Sequence, residues 1–287
     1  MGAFANWYRQ ARQEAIAAGI ATAELDWLMV HELQVTKLAL RLGEVEPTAA
    51  ALTQLQTLWA QRRDRRTPVQ YLVGFTPWRD LRLQVTPAVL IPRPETELLI
   101  DICQSLLQPP PGAPLADLGT GSGAIALSLA RTFPHHPIHA VDLSAAALTV
   151  ARHNATLNGL GDRLVWHQGS WLAPLGPWAG QFAAIVANPP YIPTAEITAL
   201  APEVRDWEPR LALDGGPTGL DCLQHLSATA PRYLRPGGFW AVEVMAGQGA
   251  IVAQQLAATE RYRDIQVHPD DNGIDRFVTA YSSCPVN

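Results

Sequence analysis

The sequence predicts an α/β protein: a small all-helical N-terminal domain, a β-hairpin linker, and a seven-stranded, mostly parallel sheet with helices on both faces. Three observations carry this prediction. Residues 5–61 place apolar side chains such as Leu25, Leu28, Met29 and Leu33 at helical spacing. From Thr76 the pattern changes to strand-like alternation. Beyond the break PPPGAP at Pro109–Pro114, short apolar runs alternate with helical stretches, the pattern of parallel strands joined by crossover helices.

The expected organisation is a helical domain over 1–75, a hairpin over 76–93 and an α/β domain over 94–287. In the first, Trp7, Trp27 and Trp59 are packing residues of a small bundle, and RRDRR at Arg62–Arg66 is a solvated helix end, the alternative being a contact to an acidic partner. In the second, WRDLRLQV forms one strand, TPA the turn and VLIP the returning strand. Pro94 or Glu95 then opens a helix with acidic residues in its first turn. The strands that follow are APLADL, PIHAVDL, RLVWHQ and FAAIVA, with helices SGAIALSLARTF and AAALTVARHNATLNG between them. GGFWAVEV, RYRDIQVHP and DRFVTAY complete the sheet, and the last two have no helix between them, which predicts an antiparallel hairpin.

The composition narrows the function. With 48% hydrophobic and 16% charged residues, the chain sits well away from disordered sequences. Its 21 basic residues against 26 acidic ones give a net charge of -5, which supplies no global positive field and disfavours a nucleic acid substrate. Cys103, Cys222 and Cys284 lack CxxC spacing and are read as core or surface thiols. The eight histidines have no metal-ligand spacing, His135 and His136 reading as a surface turn, so no metal is expected. No run of about 18 apolar residues occurs, and the first residues have no apolar signal-peptide core, so the expectation is a cytoplasmic protein without a membrane span.

Two loops carry the chemistry. ADLGTGSG runs from a strand into a helix with glycines at Gly119, Gly121 and Gly123, and with Thr120 and Ser122 between them. Glycine permits a tight turn and a close approach to a ligand, and a helix start offers free amides. Asp142 follows 19 residues after Gly123, near the spacing at which a carboxylate binds ribose hydroxyls. Alone, such a loop is also compatible with plain structure. GxGxG differs from the dinucleotide GxGxxG fingerprint, so S-adenosyl-L-methionine, which has ribose hydroxyls and no phosphate, suits it better than NAD.

The second loop is VANPPYIP. Pro189 and Pro190 cannot continue a strand ladder, so the strand FAAIVA stops at a fixed point. A Pro-rich turn accounts for that alone. As a site, the Asn188 side-chain oxygen and the Pro189 carbonyl would hold both N–H groups of an amide or nucleobase amino group, favouring the pyramidal nitrogen of a methyl-transfer transition state. The Tyr191 ring would stack on the planar group and fix its approach. No dedicated general base is needed, because the nitrogen becomes cationic on accepting the methyl and loses its proton readily.

With GTGSG, Asp142 and NPPY in this order, the chain resembles the class I S-adenosylmethionine-dependent methyltransferases acting on amino nitrogens. More closely, it resembles the peptide chain release factor N5-glutamine methyltransferases over TPVQYLVGFTPWRDLRLQVTPAVLIPRPETE, NPPYIP, WEPRLALDGGPTGLD and NGIDRFVTA. That resemblance implies a Rossmann-like catalytic domain and methylation of the glutamine amide in the GGQ tripeptide of class 1 release factors, leaving S-adenosyl-L-homocysteine. It implies that Gly119–Gly123 and Asn188 border the cofactor, that Asp142 binds its ribose, and that Trp171 lies beside its adenine. It also implies that Asn188, Pro189, Pro190 and Tyr191 hold the glutamine. Ser170 stands where many members carry an acid, which would weaken the hold on the adenine amino group.

Other residues have two readings. Arg93 and Glu95 border the cofactor entrance, or else cap a helix and pair on the surface. Glu243 is expected to be a solvated strand-end carboxylate rather than to face the site. Asp275 and Arg276 form an ion pair or a cap. The alternative substrates are a ribosomal-protein glutamine or an adenine or cytosine amino group, and a noncatalytic adaptor would need neither loop. A monomer working on a transient partner is expected.

Overall fold

The computed structural model describes residues 2–283, so Cys284 lies outside the described residues. Packing divides the chain into two units. One runs to Phe75 and includes Ala201–Trp207; the other comprises Thr76–Leu200 and resumes at Glu208.

The first unit holds helices α1 (Ala3–Ala17), α2 (Thr22–Glu32), α3 (Lys37–Leu42), α4 (Ala49–Arg65) and α5 (Val69–Val73). Thr36 and Thr48 start α3 and α4 by accepting from the amides of Ala39 and Ala51, at 3.1 and 3.2 Å. Each such cap contributes about 1 kcal/mol. Leu25, Leu28, Met29, Leu55 and Trp59 fill the core, and Trp59 also donates to Glu14 at 3.1 Å. The expectation of a solvated RRDRR fails at its first residue. Arg62 is only 3% exposed, with Nε 2.6 Å from Glu24 and Nη1 2.8 Å from Glu203. Its stem packs in the bundle while its planar head is shared by two carboxylates, an arrangement guanidinium favours over ammonium.

A two-stranded hairpin follows, β1 (Phe75–Trp78) and β2 (Leu81–Gln84), turning at Arg79 and Asp80, and from Thr76 onward it belongs to the second unit. The expected returning strand at Val89–Pro92 is not formed. β2 pairs backward onto FTPW instead, across the tight turn at Arg79 and Asp80, and the expected strand WRDLRLQV is broken by that turn. Arg79 adopts φ +52 at the turn and donates its amide to Glu97 at 3.0 Å. After a 3-10 turn at Pro94–Thr96 come α6 (Glu97–Leu106), β3 (Leu115–Leu118), α7 (Ala124–Thr132), β4 (Ile138–Asp142), α8 (Ala145–Leu157), β5 (Leu164–Gln168) and β6 (Phe182–Ala187). The short α9 (Pro202–Arg205) belongs to the helical unit. The chain closes with α10 (Asp221–Thr229), β7 (Leu234–Glu243), α11 (Gly249–Ala258), β8 (Tyr262–Pro269) and β9 (Asp275–Ser282).

The seven-stranded sheet has the order β5-β4-β3-β6-β7-β9-β8, parallel except for β9, which runs antiparallel to both β7 and β8. β3 and β6 are buried at every position, as central strands covered on both faces must be. Val186 and Phe239 join the cluster containing α6 and α7, whereas Ile185 and Trp240 join the cluster containing α10 and α11. Adjacent residues of one strand thus face opposite layers. Among the described residues, no helix is long and apolar enough to cross a membrane.

Candidate active site

Strand order reverses at β3. β4 and β5 lie to one side and β6 and β7 to the other, and such a switch opens a crevice beyond the strands' carboxyl ends. Leu118 and Ala187 are register partners, as are Ala187 and Val242. Gly119, Asn188 and Glu243 therefore follow one another across three neighbouring strand ends. A cavity of about 250 Å³ opens there, lined by Gly119, Gly121, Asp142, Trp171, Asn188 and Pro190 among others.

The glycine loop divides by alternation. Gly119 and Gly121 line the cavity in left-handed conformations, φ +75 and +54, while Thr120, Ser122 and Gly123 are buried behind it. A side chain on Gly119 would begin 3.4 Å from the Trp171 ring, the opposing wall. Thr120 donates to Asp117 at 2.6 Å, and the Ser122 carbonyl accepts from Asn154 at 2.8 Å. Gly123 lies where a Cβ would meet Ala151 at 3.3 Å, so it serves close packing onto α8. The three inner residues shape the loop, and the two outer ones form its surface.

Asp142 ends β4 and accepts from the amides of Gly121 and Ser144, both at 2.8 Å. Burial raises its carboxyl above the usual range, and these amides oppose the rise. Each carboxylate oxygen keeps a further lone pair for a ligand hydroxyl. Trp171 sits at φ +49 and Ser170 is exposed on the cavity wall, without a carboxylate at that position.

The NPPY corner is held by residues from three other segments. Asn188 Nδ2 donates to Thr96 Oγ1 at 3.2 Å, Thr96 donates to Glu243 Oε2 at 2.6 Å, and the Tyr191 hydroxyl donates to Glu243 Oε1 at 2.9 Å. Gln248 donates to the Tyr191 carbonyl at 3.0 Å. Asn188 and Pro190 line the cavity; Pro189 is buried, and Pro189 and Tyr191 stand outside the lining. Burial drives the Tyr191 phenol well up, reinforced by Glu243, so it stays a neutral donor.

Several expectations need correction. Glu243 is not a solvated carboxylate: it is 2% exposed, its carboxyl raised by burial and steadied by Thr96 and Tyr191. Arg93 stands at the N-cap of the 3-10 turn, but its side chain makes no cap; it donates at 2.6 Å to the buried Glu208, whose carboxyl burial pushes up and Arg93 pulls back. Neither Arg93 nor Glu95 lines the cavity. Arg276 pairs with Asp270 at 3.2 Å rather than with the exposed Asp275. Asp117, an acid inside an apolar strand just before the glycine loop, is a further buried group behind the site. Wholly buried, it accepts from Thr120 and from the Ala126 amide, and desolvation raises it to about 7. Thr96, which directly follows Glu95 in IPRPETE, carries no signal in the sequence beyond that neighbourhood. Cys103 is buried and Cys222 half-buried, both free. Among the described residues, no group of three or more His, Cys, Asp or Glu could hold a metal ion.

Residues 95–203 match the methyltransferase small domain family model, and residues 6–74 match the PrmC N-terminal domain. The chain is 52% identical over 285 residues to a release factor glutamine methyltransferase of Synechocystis sp., covering 96% of this chain and 95% of that protein. It is 47% identical over 276 residues to the release factor glutamine methyltransferase of Gloeobacter violaceus, covering 96% of each. In fold it is similar to a methyltransferase from Pyrococcus furiosus, with a TM-score of 0.53 and 18% identity, over 83% of this chain and all of that one. The chain belongs to the release factor glutamine methyltransferase family.

Proposed function

We propose that this protein transfers a methyl group from S-adenosyl-L-methionine to the side-chain amide nitrogen of the glutamine in the GGQ loop of class 1 release factors. The observation that carries the reading is the placement of Asn188 beside Gly119 on adjacent strand ends, over one cavity, in a chain of this family. The cofactor fits the residues present: a glycine wall without side chains, a carboxylate with spare lone pairs, and an indole opposite. Gly119, Gly121, Asp142 and Trp171 would hold it, with Thr120, Ser122 and Gly123 shaping the loop. When bound, it supplies the electrophilic methyl carbon of a sulfonium.

The chain's own residues do the rest. Asn188 Oδ1 and the Pro189 carbonyl accept the two N–H groups of the glutamine amide, drawing its nitrogen toward the pyramidal geometry that frees the lone pair. The Tyr191 ring, its hydroxyl fixed on Glu243, limits the amide to one plane of approach, with Pro190 stiffening the corner. The proton leaves the nitrogen once it carries the methyl, to solvent. Residues 1–75 serve release-factor recognition, 76–93 link the domains and 94–287 carry out transfer. The protein works in the cytoplasm, as a monomer on a transient partner.

Transfer of labelled methyl to a purified release factor, compared with the same factor carrying GGA in place of GGQ, tests this reading. Label on the GGQ factor alone is expected; equal label on both eliminates the proposal.

A further inference from the structure

The carboxamide of Asn188 can present either its oxygen or its NH₂ to a substrate, and only the oxygen can accept from a glutamine amide. Something must choose between two orientations of nearly equal shape. The choice is made two hydrogen bonds away. Glu243, buried and acceptor-only when ionised, receives the hydroxyl protons of Thr96 at 2.6 Å and Tyr191 at 2.9 Å. A hydroxyl has one proton, so Thr96, having given its own to Glu243, can offer Asn188 only a lone pair. Asn188 must then turn its NH₂ to Thr96, as the 3.2 Å contact records. Its oxygen is left for the cavity.

We infer that Thr96 is a positioning residue which, polarised by Glu243, fixes the Asn188 carboxamide with its oxygen toward the substrate nitrogen. This inference rests on the proposed methyl transfer and deepens it. The flipped amide would set oxygen against a hydroxyl whose proton is committed elsewhere, and would aim NH₂ at the NH₂ of the substrate. Register explains why the chain can be so short: Glu243 and Asn188 each follow the partnered pair Val242 and Ala187, and Thr96 sits in the 3-10 turn that bridges them. Glu95 and Arg276 act on the Glu243 charge from outside the chain, in opposite directions.

Four variants and one measurement on the wild type test it. Thr96→Val keeps the shape and removes both hydrogen bonds; kcat is expected to fall at least 30-fold, with the cofactor Kd and the KM for the release factor each within about threefold of wild type. Thr96→Ser restores the hydroxyl and is expected to recover kcat to within about fivefold. Glu243→Gln replaces one of the two acceptor oxygens by an NH₂ donor, so that Thr96 and Tyr191 no longer each have their own acceptor; it is expected to cost at least fivefold in the Thr96 background and less than twofold when added to Thr96→Val. A Thr96→Val enzyme with kcat within threefold of wild type, a serine variant no better than valine, or equal Glu243→Gln losses in both backgrounds would each overturn the inference. If the valine variant does not fold, NMR of the wild type decides: the Asn188 Hδ2 protons must show cross-relaxation with the Thr96 methyl, and its absence overturns the orientation. Failure of the wild type to label the GGQ glutamine would overturn the functional reading itself, a result distinct from any of these.

Discussion

On the proposed reading, Asn188→Ala removes one of two acceptors for the substrate amide, and loss of a comparable transition-state partner costs about 10²–10³-fold in turnover. Labelled-methyl assays are expected to show that loss, while calorimetry shows cofactor affinity within a few-fold, since the cavity wall otherwise persists. Asp117 gives a different residue-scale effect. Its carboxyl rises from 3.8 to about 7 because burial penalises the charge, so the folded state holds a proton that the unfolded chain has already released. The associated stability is complete below pH 4 and is lost as pH climbs through about 7, a change of roughly 4 kcal/mol at most. Asp117→Asn cannot ionise and keeps an acceptor for Thr120 and Ala126. Its urea midpoint, compared with wild type from pH 5 to 8, is expected to rise relative to wild type as pH increases.

At the scale of elements, the NPPY corner is held against the loop DGGPTGLD as well as against β7. Gly219 has φ +74, and a Cβ there would sit 2.2 Å from the Tyr191 carbonyl oxygen. Gly219→Ala must therefore move the loop or the corner, and a cost of about 3 kcal/mol is expected from overpacking and backbone strain together. Chemical denaturation checks the stability, and a concurrent fall in turnover is expected because Tyr191 and Asn188 share the displaced backbone. The same scale shows what local pattern reading misses. Alternation placed β2 inside the run WRDLRLQV, but that run also holds the end of β1 and the turn at Arg79 and Asp80, and VLIP is not the partner strand. Asn154, fully buried on α8, fastens the hairpin to the site: it exchanges hydrogen bonds with Gln84 at 2.6 and 3.0 Å and donates to the Ser122 carbonyl.

At the scale of the whole molecule, the segment Ala201–Trp207 belongs to the helical unit although it lies far along the chain. Glu203 meets Arg62 there at 2.8 Å, and the Trp207 indole donates to the Arg65 carbonyl at 2.9 Å. Glu203→Ala leaves a buried guanidinium with Glu24 as its remaining carboxylate, and a loss of about 2 kcal/mol is expected, below that of a fully buried pair because both acids are partly solvated. Thermal unfolding of the full chain measures it. Sequence alone determined the element order, the parallel sheet, the glycine loop and the position of NPPY, because spacing, proline and glycine act on the backbone within a few residues. Tertiary structure alone decided which members of those motifs face the cavity, and that Thr96, Asp117 and Glu243 stand behind them. Burial and hydrogen-bond partnership are properties of segments brought together by sheet register, and no window along the chain contains them.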